Sequence, residues 1–149
     1  MNDNILKSVT ELFSEKRNII LIPHSSPDAD ALGSCLALFH FFKSNNKVNI
    51  ISPNGYTDIL NFLPGSENIL IYDSDKEKCE NIFKKADVVF TLDFNSLGRA
   101  RNLSSLISKS SAVTIMIDHH ENPDKYADIT ISNSKMSSTC EMVYNFIYS

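Results

Sequence analysis

The feature that most limits how this chain can fold is an alternation. Short apolar or apolar-alternating runs at 18–23, 47–52, 68–72, 88–92 and 112–117, with a last one at 128–132, are separated by segments whose apolar residues recur at helical spacing. Short strands that return through helices pair in parallel, with both faces of the sheet covered. The expected fold class is therefore α/β: a doubly wound, mainly parallel sheet of about five strands, with helices on both faces. Helices are expected over 2–16 (Ile5, Leu6, Val9, Leu12 and Phe13), 31–44, 74–85, 97–109 and 137–148, and a short one within 56–62. At 149 residues the chain is one domain by length, and it contains no internal repeat.

Charge and cysteine content narrow the function. A net charge of −4 argues against a protein that grips long duplex nucleic acid by its overall field. Cys35, Cys79 and Cys140 are odd in number and far apart, as expected of buried free thiols in a reducing cytoplasm. The first 17 residues carry Asp3 and Glu11 and lack the apolar stretch of a signal peptide, and no apolar run reaches a membrane span. A cytoplasmic protein that does not contact membrane is the expectation.

The chemistry concentrates where strands end. The run Ile19–Pro23 opens into a loop with His24, Asp28 and Asp30, and Asp30 is placed to cap the helix that follows. The strand at 88–92 ends in Asp93, and that at 112–117 ends in Asp118-His119-His120. In a doubly wound sheet these ends share one edge, the edge at which such sheets bind ligands. Four carboxylates brought together there repel one another unless cations neutralise them, and two divalent ions would do so. Imidazole mixed with carboxylate suits Mn²⁺, Fe²⁺, Co²⁺ or Zn²⁺ better than Ca²⁺. Two such ions are suited to phosphoryl displacement.

These motifs, in this order, resemble those of the DHH phosphoesterase family. His24-Ser-Ser-Pro-Asp28-Ala-Asp30-Ala-Leu-Gly33-Ser34 resembles the first, Thr91-Leu-Asp93-Phe-Asn-Ser96 the second, Asp118-His119-His120 the triplet of the name, and Met136-Ser137-Ser138-Thr139-Cys140-Glu141-Met142 the fourth. The resemblance implies that His24 and Asp28 bind one metal, Asp30 the other, that Asp93 bridges them, and that His119 is the ligand of the triplet. It implies further that Asp118 orients His119 and that His120 faces the substrate phosphate. His120, Asp118 and Asp93 are the expected catalytic set; His120, Ser34, Arg99, Ser137, Ser138 and Thr139 are the expected substrate contacts. Backbone N–H groups at the helix starts near Ala31 and Ser137 are expected to meet phosphate oxygens. The cofactors implied are two divalent ions, Mn²⁺ foremost.

Residues 1–149 would then be the catalytic domain, incomplete at its C-terminal end. The family's further metal-binding aspartate and its glycine-rich substrate-binding lobe would lie beyond them. The helix leading straight into the first motif resembles the oligoribonuclease and pAp phosphatase branch, related to RecJ. A short single-stranded oligonucleotide or phosphorylated nucleotide is the expected partner, hydrolysed by metal-hydroxide attack, and a homodimer is left open. Cyclic dinucleotide phosphodiesterase and pyrophosphatase or polyphosphatase activities are the alternatives within the family. A non-catalytic metal- or nucleotide-binding module is the alternative outside it. Around the motifs, Arg99 is read either as a phosphate contact or, like Arg101, as a solvated helix residue. Phe94 is read as core before base-stacking platform, and Lys125 and Lys135 as surface charges. Gly33 would let its helix pack close to the sheet.

Overall fold

A computed structural model of the protein describes residues 3–149. Among these residues six strands form one sheet: β1 (Asn18–Pro23), β2 (Lys47–Ser52), β3 (Ile69–Ile71), β4 (Val88–Leu92), β5 (Val113–Asp118) and β6 (Ile129–Ser132). Their spatial order is β3-β2-β1-β4-β5-β6, and every neighbouring pair is parallel. The sheet thus has one strand more than the expected five. β6 is four residues of half-exposed edge, and its register on β5, Ile115 opposite Ile129 through Asp118 opposite Ser132, makes it a full member.

The helices are α1 (Asp3–Leu12), α2 (Ala29–Phe42), α3 (Lys76–Phe83), α4 (Ser104–Lys109) and α5 (Thr139–Ile147). The helix expected at 2–16 is shorter than its pattern, and residue 2 lies outside the described residues. The segment expected as one helix over 97–109 is broken. A 3₁₀ stretch, Leu97–Leu103, precedes α4, and Arg101 within it has φ 47° and ψ −122°. No described helix is long and apolar enough to cross a membrane.

Strand periodicity sorts the core into two layers. Ile19, Leu21, Val88, Phe90, Leu92, Ile115 and Ile117 face α1, α2 and α5. Phe90 meets Phe42 and Phe146 there, with ring centroids 5.8 and 5.9 Å apart. Ile20, Ile22, Ile51 and Val89 face the opposite way, toward Cys79 and Phe83 of α3 and Leu103 and Ile107 of the β4–β5 crossover. The strand order reverses between β1 and β4, so a crevice opens at their carboxyl ends. His24 follows β1 and Asp93 follows β4. The chemistry predicted from strand ends therefore sits at the switch point.

Candidate metal centre

Asp93 is the pivot. It is buried at 2% exposure and holds φ 66°, a left-handed conformation that Asp tolerates better than most residues. One carboxylate oxygen, Oδ2, lies 3.5 Å from His24 Nε2; the other, Oδ1, lies 3.5 Å from His119 Nε2. Asp28 Oδ1 approaches His24 Nε2 at 3.8 Å, and Asp30 Oδ2 approaches His119 Nε2 at 3.7 Å. These separations are too long for direct hydrogen bonds. They are short enough for paired donors to reach one ion about 2.1 Å from each.

The remaining contacts orient these donors. His24 Nδ1–H donates to the Ser25 carbonyl at 2.9 Å, which leaves the Nε2 lone pair facing the carboxylates. His119 Nδ1 is directed at the Met136 carbonyl at 3.3 Å, with the same result. The Thr139 hydroxyl donates to Asp93 Oδ1 at 2.8 Å. Burial alone would lower the His24 pKa, but the Asp93 carboxylate and the Ser25 carbonyl outweigh it, leaving the ring more basic than its ordinary 6.5. The cluster is thus a concentration of negative charge that favours a cation, and its donors suit a divalent ion of the Mn²⁺–Zn²⁺ series.

The family model for the DHH family N-terminal domain matches residues 18–149. The chain belongs to the DHH family. The DHH family is one of phosphoesterases, and Asp118-His119-His120 is this chain's copy of the triplet. Among solved structures, an exopolyphosphatase-related protein from Bacteroides fragilis is 40% identical, with a TM-score of 0.96 over 99% of this chain and 44% of that one. Among curated proteins, a probable bifunctional oligoribonuclease and PAP phosphatase, NrnA, of Streptococcus mutans is 29% identical over 86% of this chain and 37% of its own length. RecJ from Thermus thermophilus, solved with Mn²⁺, shares the fold at a TM-score of 0.55 and 13% identity. This DHH chain therefore spans less than half the length of the relatives it matches.

Several expected roles move once the DHH domain is seen folded. Asp28, not Asp30, caps α2, accepting from the N–H groups of Asp30 and Ala31. Asp30 instead accepts from Thr139 N–H and Cys140 N–H, both at 2.8 Å, and so caps α5 from across the chain. The N–H groups expected to meet phosphate at Ala31 and at the start of α5 are therefore already held by carboxylates. Asp118 does not orient His119. Its buried carboxylate accepts from His120 Nδ1 at 2.7 Å and from His120 N–H at 3.0 Å, because the backbone turn that aims His119 inward leaves His120 beside it.

The expected substrate contacts divide. Arg99 Nη1 lies 3.3 Å from His120 Nε2, and the Arg99 carbonyl accepts from Ser25 N–H, so both half-buried side chains stand together beside the first motif's loop. Ser34 is fully buried with its hydroxyl on Cys140 Sγ at 3.5 Å and presents nothing to the edge. Ser138 caps α5 through Glu141 N–H, the Ser137 hydroxyl donates to Glu141 Oε2 at 2.7 Å, and Thr139 is buried against Asp93. Phe94 is core, stacked on Tyr126 at 6.4 Å. Gly33 spaces two helices rather than helix and sheet: a Cβ there would come within 2.9 Å of Cys140 Sγ on α5. The Met136 carbonyl and the Thr139 hydroxyl carry no sequence signal for their partners, His119 and Asp93.

Proposed function

We propose that this chain is the catalytic portion of a Mn²⁺-dependent phosphoesterase that hydrolyses short single-stranded oligoribonucleotides or the phosphorylated nucleotide pAp. The observation that supports this reading most is Asp93, one buried carboxylate whose two oxygens serve two separate imidazoles. His24, Asp28 and Asp93 bring ligand atoms within 4.8 Å of one another and would hold one ion; Asp93, His119 and His120 form the other such group, with Asp30 3.7 Å from His119. His120 is a poorer ligand, because its Nδ1 is already committed to Asp118. Such ions, when bound, neutralise charge developing on the phosphoryl group and lower the pKa of the attacking water.

The chain's own residues supply the rest. Asp118 accepts from His120 Nδ1 and so fixes the ring's tautomer and orientation, leaving Nε2 to face the phosphate or the departing oxygen. Arg99, beside that nitrogen, offers a planar fork to two phosphate oxygens and displaces its own contact with His120 in doing so. A buried, acidic centre whose helix N–H groups are already taken depends on these two groups for its hold on the anion. Three free thiols accord with a cytoplasmic location. A polyphosphate or pyrophosphate substrate is the second reading, favoured by the 40% identical exopolyphosphatase-related structure.

The test is Mn²⁺-dependent release of mononucleotide from a 5′-phosphorylated trinucleotide, with pAp, pyrophosphate and a cyclic dinucleotide in parallel. Turnover of the RNA or pAp is expected. Exclusive turnover of pyrophosphate or of the cyclic dinucleotide would replace the reading. No turnover together with no Mn²⁺ binding by calorimetry would remove it.

A further inference from the structure

Arg101 stands where a glycine would be expected. Its φ of 47° and ψ of −122° fall in a region that a Cβ makes costly and that glycine enters freely. The Ser104 hydroxyl lies 2.6 Å from the Arg101 carbonyl and 2.5 Å from that of Leu97, which helps hold the kink. Such strain persists where the surrounding structure imposes it, and it concentrates at sites of function.

The kink presents Arg101 to a cavity of about 620 Å³ lined by Tyr72, Asp73, Lys76, Asn102 and Ser105. The cavity is open to solvent, and Asp73, Lys76, Arg101, Asn102 and Ser105 are all exposed. Lys76 opens α3 and Ser105 lies in the first turn of α4. α3 follows the carboxyl end of β3, and the 3₁₀ stretch that carries Arg101 follows that of β4, at the edge of the candidate centre. The cavity's carboxylate, Asp73, accepts from the Asn102 amide at 3.3 Å. Among the described residues no carboxylate pairs with Arg101 or with Lys76. Two unpaired cations from separate elements therefore line one cavity. Arg99, two residues earlier, already sits against His120.

We propose that this cavity is a second phosphate subsite, in which Arg101 and Lys76 hold the phosphodiester next to the one at the metal centre. The inference rests on the proposed reading of that centre as a phosphoesterase. It makes the chain selective for substrates of more than one nucleotide, while a single nucleotide uses the centre and Arg99 alone.

The test is Arg101→Gly, made in the full chain and compared on a 5′-phosphorylated trinucleotide and on pAp with Mn²⁺. The variant relieves the strain, so it folds, with a thermal midpoint equal to the parent's or a few degrees higher. Loss of one charge-assisted contact is expected to raise KM for the trinucleotide about tenfold relative to KM for pAp, with kcat within about twofold. Arg101→Lys keeps the charge and should recover most of that ratio; Lys76→Ala should change it in the same direction. An unchanged KM ratio in Arg101→Gly would overturn the subsite. If the parent hydrolyses neither substrate, the phosphoesterase reading fails instead, and binding separates the two ideas. Anisotropy of a labelled trinucleotide in EDTA must then weaken about tenfold in Arg101→Gly, and equal binding overturns the subsite.

Discussion

Asp28 and Asp30 lie two residues apart in one loop and cap two different helices. Asp28 caps the helix it begins, with its side chain 66% exposed. Asp30 caps α5, more than a hundred residues downstream, with its side chain 23% exposed. Each uses some lone pairs on helix N–H groups while presenting an oxygen to an imidazole, Asp28 to His24 and Asp30 to His119. The His24–Asp28 side of the candidate centre is thus assembled by local chain geometry. The other half exists only when α5 docks against α2. The centre doubles as a clasp, and the two halves should respond differently to damage.

Asp93, which both halves share, is the largest expected effect. Asp93→Ala should lower turnover of the best substrate a thousandfold or more, about 4 kcal/mol in the barrier, with an unchanged circular dichroism spectrum. Activity within tenfold of the parent would mean that the halves do not meet at this residue. Asp30→Ala comes next. It removes two charge-assisted hydrogen bonds between α2 and α5 and should cost about 3 kcal/mol in urea unfolding, besides weakening the His119 half of the centre.

Gly33→Ala tests the same clasp by pushing it open. The new Cβ meets Cys140 Sγ at 2.9 Å, and a loss of about 2 kcal/mol is expected. Cys140→Ala in the same chain should return most of that loss, and a double-mutant cycle showing no coupling would place the strain elsewhere. Asp28→Ala, an exposed local cap, should cost only about 1 kcal/mol. Equal costs for Asp28→Ala and Asp30→Ala would erase the distinction between local and long-range caps.

The smallest effect is a pH dependence of the local half. His24 is more basic in the folded chain than its ordinary 6.5. Its protonated ring therefore contributes stability that is fully present below pH 6.5 and is lost as pH rises through the raised folded value. Divalent-ion affinity runs the other way over that window, because Nε2 must be free of its proton to ligate. Thermal melts of chelated protein should show the midpoint falling as pH rises past 6.5, and His24→Gln should abolish that slope. A slope that survives in His24→Gln would assign it to another group.

What could be read directly from the residues follows from this division. The strands, their parallel pairing and the placing of His24, Asp93 and Asp118 at strand ends depend on short-range periodicity and on where an apolar run stops. Those signals lie within a few residues of each other, so the chain order suffices. The run at 128–132 was legible as a strand, but its membership of the sheet was not, because β6 is half-exposed and gains its place from the ladder with β5. The helix predicted through 97–109 failed at Arg101, where no proline or glycine announces the break.

Other features were decided by tertiary structure alone. Asp30 finds α5, Thr139 finds Asp93 across 46 residues, and Gly33 meets Cys140 only because two helices come together. Asp118 chooses His120 over His119 although both are its neighbours in sequence, because the turn after β5 sends one ring toward Asp93 and leaves the other on the carboxylate. Residue type and local spacing determine which groups arrive at the sheet edge. Which of them touch is settled by helix docking and by the requirement that each buried polar group find a partner, and neither acts until the chain has closed on itself.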